Sequence, residues 1–394
     1  MSRLSASVTE GHITAKNEVV SRRLSKFELS DTLGRVVGGI ALLRRKHLLT
    51  AVAIAAAICC CGCSGRLPQG ALVPVAQANT AGASIVPMLV ATTRSHATAD
   101  AGDMFSGGLA NQISYASIAV SLPPDAVRKI GEVQWPTSMP PDPQRSFVTV
   151  SANYLDRPSF LSALSAANKR NRSGKVLVFI HGFNNRFDEA VYRFAQIVHD
   201  AKAPAVPVLF SWPSQGVVSL AAYKDDLVRA TSSREALDQL LNTVAGNRDV
   251  KEVNILCHSM GCLLTLDELH ARAIHAGTIG AKIKNVLLVA PDVNVDVFRS
   301  QMRKMGAAKP RFALFLSQDD QALKISKSIG DGVTRLGDVD PTQEPYKTAF
   351  EREGIVVFDL TGLRGGAHAR AFTDITSVMG MIEQRLAEGQ QMTD

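Results

Sequence analysis

The chain has 394 residues, 46% of them hydrophobic and 20% charged, which is enough apolar matter for a large buried core and excludes a disordered protein. Its formal charge of +7 is not a nucleic-acid signature. Nine Lys/Arg against four Asp/Glu in the first 63 residues carry +5 of it, leaving +2 for the remainder and no cationic stripe to follow a phosphate backbone.

Residues 1–43 show no strong hydrophobic period and read as an N-terminal extension or an over-long start. Arg44-Arg45-Lys46-His47 then forms a positive region ahead of an apolar run, Leu48 to Cys61, too short to span a bilayer comfortably and suited to an export signal. The run ends in Cys60-Cys61-Gly62-Cys63. Small Gly62 before Cys63 resembles a lipobox, so 44–63 is expected to be a lipoprotein-type signal with Cys63 lipidated; Cys60 stands where Leu is usual. A retained anchor helix is the alternative. A metal cluster is disfavoured, because cysteines this crowded lack tetrahedral spacing and have no histidine partner. Residues 64–84, rich in Gly, Ala, Pro, Gln and Asn, read as a flexible tether, and 85–394 as the folded domain. Cys257 and Cys262 are not spaced as a disulfide framework, so the domain is expected to stand on core burial alone.

Within it, Ile85–Thr92, Ser114–Ser121 and Phe147–Val150 read as strands, Trp135–Pro143 with four prolines as a loop, and Asp156–Ala166 as a helix. Apolar runs then alternate with amphipathic helices: strands Lys175–Ile180, Val206–Trp212, Val253–Leu256, Lys284–Ala290, Phe312–Leu316 and Ile355–Leu360; helices Phe187–Asp200, one behind a capping box at Ser232-Ser233-Arg234-Glu235, one to about His275, and Asp296–Met305, Gln321–Ile329 and Ala371–Leu386. Continuous apolar strands are buried on both faces, which predicts a mostly parallel sheet with helices on both sides. Ligands in such sheets bind beyond the strands' carboxyl ends.

The residues that follow those ends carry the chemistry. Cys257-His258-Ser259-Met260-Gly261 places a serine between a strand and a helix, as in a G-x-S-x-G nucleophile elbow, with Cys257 replacing the first glycine. The plain alternative is a serine that merely N-caps the helix. A serine hydroxyl needs a base oriented by a carboxylate, and in this fold the chain order is Ser, acid, His. Of nine histidines, only His368, in a glycine-rich loop after the last predicted strand, lies where an imidazole could reach over the sheet. The acid is expected after Phe312–Leu316, where Asp319 and Asp320 precede a helix; Asp320 is favoured and Asp292 held in reserve. The oxyanion donors are expected to be the backbone N–H groups of Met260 and Phe183. His181 reads as buried and structural. No metal-ligand motif is present and no cofactor is expected.

Phe179-Ile180-His181-Gly182-Phe183-Asn184, Phe210-Ser211-Trp212-Pro213-Ser214, His258-Ser259-Met260-Gly261, Ala290-Pro291-Asp292 and Asp320-Gln321-Ala322-Leu323 together resemble a bacterial α/β-hydrolase family known as domain of unknown function 900, over roughly Val86 to Phe372. The resemblance implies an α/β-hydrolase fold and an esterase-like or lipase-like triad, with Ser259, Asp320 and His368 on its positions, but no substrate. Two readings follow. One is a serine hydrolase acting on a small-molecule or lipid ester, held by a lipid anchor in the cell envelope, on the periplasmic side of a membrane. The other is a non-catalytic envelope protein that keeps the fold as a binding or structural module.

Overall fold

The computed structural model describes residues 70–75, 82–97, 102–202, 204–306, 309–329 and 332–362, all within one compact unit, Ala57–Asp394. Nine strands form one sheet: β1 (Ser84–His96), β2 (Phe105–Leu122), β3 (Val148–Leu155), β4 (Lys175–Ile180), β5 (Val206–Ser211), β6 (Glu252–His258), β7 (Ile283–Val289), β8 (Arg311–Leu316) and β9 (Val356–Asp359). The helices are α1 (Arg157–Asn171), α2 (Phe187–Ala201), α3 (Leu220–Ser232), α4 (Arg234–Gly246), α5 (Met260–His275), α6 (Val295–Met305), α7 (Gln321–Ile329) and α8 (Tyr346–Glu353).

The strand order is β3-β2-β1-β5-β4-β6-β7-β8-β9. Only the pairs β1–β2 and β2–β3 are antiparallel; the rest of the sheet is parallel. Side chains alternate across it, so apolar runs supply both faces at once. Val176, Val178 and Ile180 of β4 face a core closed by α1, α4 and α5, whereas Leu177 and Phe179 face the core of α2. The chain leaves β4 for β5 on one side and returns to β6 on the other. That reversal places the end of β6 at a switch point, where an open α/β sheet leaves a crevice for ligands.

Three expectations are corrected. The tether does not extend to residue 84: Ala71 and Leu72 are each 1% exposed, and the Ala71 carbonyl accepts from Tyr192 Oη at 2.8 Å and Thr149 Oγ1 at 2.9 Å. Two apolar residues and one carbonyl suffice to seat a segment whose composition reads as linker. The expected capping box is absent. Residues 220–232 form α3, and Ser233, at its C-terminus, turns its hydroxyl back to the Arg229 carbonyl at 2.8 Å instead of capping α4. Finally, Cys257 and Cys262 are joined in a disulfide with Cα atoms 4.9 Å apart, because one turn of helix brings the third residue of α5 back beside the strand that feeds it. Helix Ala371–Leu386 lies outside the described residues.

Candidate active site

Ser259 occupies the single residue between β6 and α5, with φ 51° and ψ −121°. A non-glycine residue there costs about 1–3 kcal/mol, and such strain persists only where the surroundings over-determine it. They do: the Ser259 N–H donates to the Val289 carbonyl at 2.9 Å, and its own carbonyl accepts from Cys262 N at 3.0 Å and Asp292 N at 3.3 Å. The disulfide closes the same turn covalently. The N-cap alternative fails, since the Ser259 side chain makes no capping hydrogen bond to α5. Gly261 is required by the close crossing of the neighbouring strand: a Cβ on it would sit 2.3 Å from the His181 carbonyl oxygen and 2.7 Å from that of Ile180.

The loop after β4 lies against the nucleophile position. A Cβ on Gly182 would meet Ser259 Cβ at 3.0 Å and His258 Nδ1 at 2.8 Å, so the Gly182 backbone packs against the serine and leaves no room for a side chain. Asn184 turns the chain at φ 58°, and Asn185 Nδ2 spans the turn, donating to the Phe183 carbonyl at 2.9 Å and the Gly182 carbonyl at 3.3 Å. Met260 opens α5 immediately after Ser259 and is fully buried. Of the two expected oxyanion donors, Met260 thus follows Ser259 in the chain and Phe183 follows Gly182.

The acid candidates separate by their partners. The buried carboxylate of Asp292 accepts from Ser326 Oγ at 2.5 Å and Tyr223 Oη at 2.6 Å and pairs with Arg335 Nε at 3.2 Å. Burial, then the Asp292 charge, holds the Tyr223 phenol well above its usual range, so it remains a donor. Asp292 thus ties α3, α7 and the segment near Arg335 together, which is a scaffold task. Asp320, also fully buried, ends the turn after β8 and accepts at Oδ1 from Ala322 N at 2.9 Å and Leu323 N at 3.2 Å. Asp319 accepts from Ser317 Oγ at 2.5 Å. His368 and Cys63 lie outside the described residues.

Residues 157–385 match the family described as alpha/beta hydrolase of unknown function, DUF900. The chain belongs to that family. Membership and the sheet topology agree on an α/β-hydrolase fold. No curated protein matches the sequence. Among solved structures, the chain is similar to a fungal esterase from Rhizomucor miehei, with 13% identity over 78% of this chain and 86% of that one and a TM-score of 0.34. It is also similar to the siderophore hydrolase EstA of Aspergillus nidulans, with 12% identity over 76% and 95% and a TM-score of 0.34. A third is carboxylesterase CesB of Bacillus subtilis, with 7% identity over 58% and 99% and a TM-score of 0.32.

Among the described residues of this DUF900 hydrolase, no His, Cys, Asp or Glu cluster of three or more is arranged to hold a metal, and no helix is long and apolar enough to cross a membrane. Residues that sequence reasoning missed stand around the β4 loop. Arg94, 1% exposed at the end of β1, donates to the carbonyls of Asn185 (2.7 Å), Ser214 (2.9 Å) and Ser106 (3.3 Å). One signal for it exists in the sequence: a lone arginine in the run Leu-Val-Ala-Thr-Thr-Arg, where a buried charge must have partners.

Proposed function

We propose that this DUF900 hydrolase is a serine esterase. Ser259 Oγ attacks an ester carbonyl while His368 takes its proton; the alcohol departs with that proton, and an acyl-enzyme remains on Ser259. Water, deprotonated by His368, then attacks the acyl carbon, and the serine leaves with the proton returned to it. Asp320 accepts an imidazole N–H, fixing the tautomer and stabilising the imidazolium, without itself taking the proton. The developing oxyanion accepts from the N–H groups of Met260 and Phe183.

The observation that carries this reading is the strained Ser259, held at φ 51° between strand and helix with Gly182 packed so close that a Cβ there would lie 3.0 Å from its own. A serine placed there for helix capping alone would not need that geometry. The substrate class is a small-molecule or lipid carboxylic ester, and no cofactor enters the reaction. The test is hydrolysis of short p-nitrophenyl esters together with labelling by a fluorophosphonate probe. Wild type is expected to do both, and Ser259→Ala to lose labelling and at least about 10⁴-fold in kcat. Full activity in Ser259→Ala removes the assignment. Absence of labelling in wild type would instead favour a non-catalytic binding module.

We also propose that Cys63 carries a lipid that anchors the enzyme in the cell envelope, on the periplasmic side of a membrane. Support comes from the basic stretch, short apolar run and Gly62-Cys63 ending. Incorporation of labelled fatty acid into wild type and its loss in Cys63→Ser are expected; retained label in that variant excludes the site.

A further inference from the structure

Beneath the loop that borders Ser259, a chain of buried polar side chains ends on one carbonyl. Arg94 Nε lies 2.8 Å from Ser211 Oγ, Ser211 Oγ lies 3.0 Å from His181 Nε2, and His181 Nδ1 lies 2.9 Å from the Gly182 carbonyl oxygen. Each donor in this chain is fixed by elimination. A carbonyl can only accept, so His181 Nδ1 carries the proton; a neutral imidazole has one N–H, so Nε2 accepts, and Ser211 must donate to it. Arg94, which has no acceptor, then supplies the hydrogen bond that Ser211 oxygen receives. His181 is neutral throughout the working pH range, because burial and next the Arg94 charge lower its pKa to about 3. The imidazole is also stacked on Trp212, with centroids 5.1 Å apart and planes at 18°, and Trp212 Nε1 donates to the His181 carbonyl at 2.7 Å. The ring has no freedom to rotate away.

What the chain holds is the orientation of a peptide plane. The Gly182 carbonyl and the Phe183 N–H belong to one trans peptide unit, in which the two bonds point in opposite directions. Holding the carbonyl toward His181 therefore sets where the Phe183 N–H points. Resting on the esterase reading above, we propose that Arg94, Ser211 and His181 are positioning residues for ester hydrolysis, a hydrogen-bonded relay that locks the Gly182–Phe183 peptide with its N–H presented to the oxyanion. Arg94 contributes twice, since its Nη2 also grips the Asn185 carbonyl at the far side of the turn.

The test compares wild type, Ser211→Ala and His181→Asn on a p-nitrophenyl ester and on its thiono analogue, whose C=S sulfur gains much less from the same N–H donors. Ser211→Ala is expected to lose about 10²-fold in kcat with KM changed less than twofold, and its oxo-to-thiono rate ratio should fall by a comparable factor. His181→Asn, whose amide can still donate toward Gly182, should recover part of both. A variant with weakened folding but an intact oxyanion site would lose active protein without moving the ratio, and an unchanged ratio overturns the proposal. Should the variants fail to fold, nitrogen NMR of the wild-type His181 ring decides: a neutral Nδ1–H tautomer from pH 5 to 8 is expected, and an Nε2–H or doubly protonated ring overturns it. Ser259→Ala is run in parallel. If the wild-type activity does not depend on Ser259, the esterase reading fails and this proposal with it; if it does and the ratio stays fixed in Ser211→Ala, only the relay falls.

Discussion

The two flanks of Ser259 are each organised around a buried charged side chain, a cation on one and an anion on the other, with countercharges beside both. On the side of β4 and β5, the buried cation Arg94 holds the loops through neutral acceptors: carbonyls of Ser106, Asn185 and Ser214 and the hydroxyl of Ser211. Burial lowers its pKa only to about 10, so it stays charged at neutral pH. On the side of β7 and β8, the buried anion Asp292 gathers the hydroxyls of Tyr223 and Ser326 and the guanidinium of Arg335, while Asp320 gathers backbone N–H groups of α7. Countercharges stand beside both centres, so what the flanks differ in is the kind of group each holds: loop carbonyls by Arg94, hydroxyls and helix N–H groups by Asp292 and Asp320.

The largest effects are expected at the two buried acids. Asp320→Asn is expected to lower kcat by about 10⁴-fold with little change in thermal midpoint, as loss of the orienting carboxylate does in a serine triad. Asp292→Ala should show the reverse. It leaves Arg335 uncompensated and two hydroxyls without their acceptor, costing about 3–5 kcal/mol of stability in urea titrations, while the protein that remains folded keeps kcat. Exchanged phenotypes would make Asp292 the triad acid. On the opposite flank, Gly182→Ala should cut kcat about 10²-fold, because its Cβ must push the loop off Ser259. Between the flanks, the disulfide Cys257–Cys262 ties the end of β6 to the first turn of α5 and closes a ring of few residues; reducing it should cost about 2 kcal/mol on the chain-entropy account, read as a shift of the urea midpoint with and without reductant. The smallest effect lies away from both flanks. Burial, then Asp238, pushes Glu268 up to about 8, although Arg272 and Arg234 stand near. Its folded pKa exceeds its unfolded value, so the folded state binds the proton more tightly; this contribution is complete below about 4.5 and lost as pH rises through about 8. Glu268→Gln should therefore flatten the fall in urea midpoint between pH 5 and pH 8.5.

Much of the parallel half of the fold was legible in the sequence, for a physical reason. Strands buried on both faces read as unbroken apolar runs, and β4 and α7 fall on the expected residues, with β8 one residue longer. The position of Gly182 and Met260 beside Ser259 follows from those runs, since each sits two residues past a strand end. The antiparallel β2 was half missed because, after buried Phe105, its residues 106–113 mix exposed and part-buried positions without a clean alternation. Helix α3 was missed for a similar reason: Leu220 and Val228 are exposed while Asp226 is buried, which inverts the pattern that marks an amphipathic helix. Asp226 is buried because it accepts from Ser214 Oγ at 2.6 Å and Gln215 N at 3.1 Å. Polar contacts of this kind, like those of Arg94 and Ser211, join residues more than ten and often more than one hundred positions apart, and no local period encodes them.

The seating of Gly70–Val75 on the domain bears on the proposed lipid anchor. With the domain beginning at residue 85, a lipid on Cys63 would leave a leash reaching about 75 Å when fully extended. With Ala71 and Leu72 already buried, only residues 64–69 intervene between Cys63 and Gly70, and the reach falls to about 25 Å. A lipidated enzyme on so short a leash would patrol a thin layer above the bilayer rather than sample the surrounding volume, and substrates embedded in or released from that layer would meet it first.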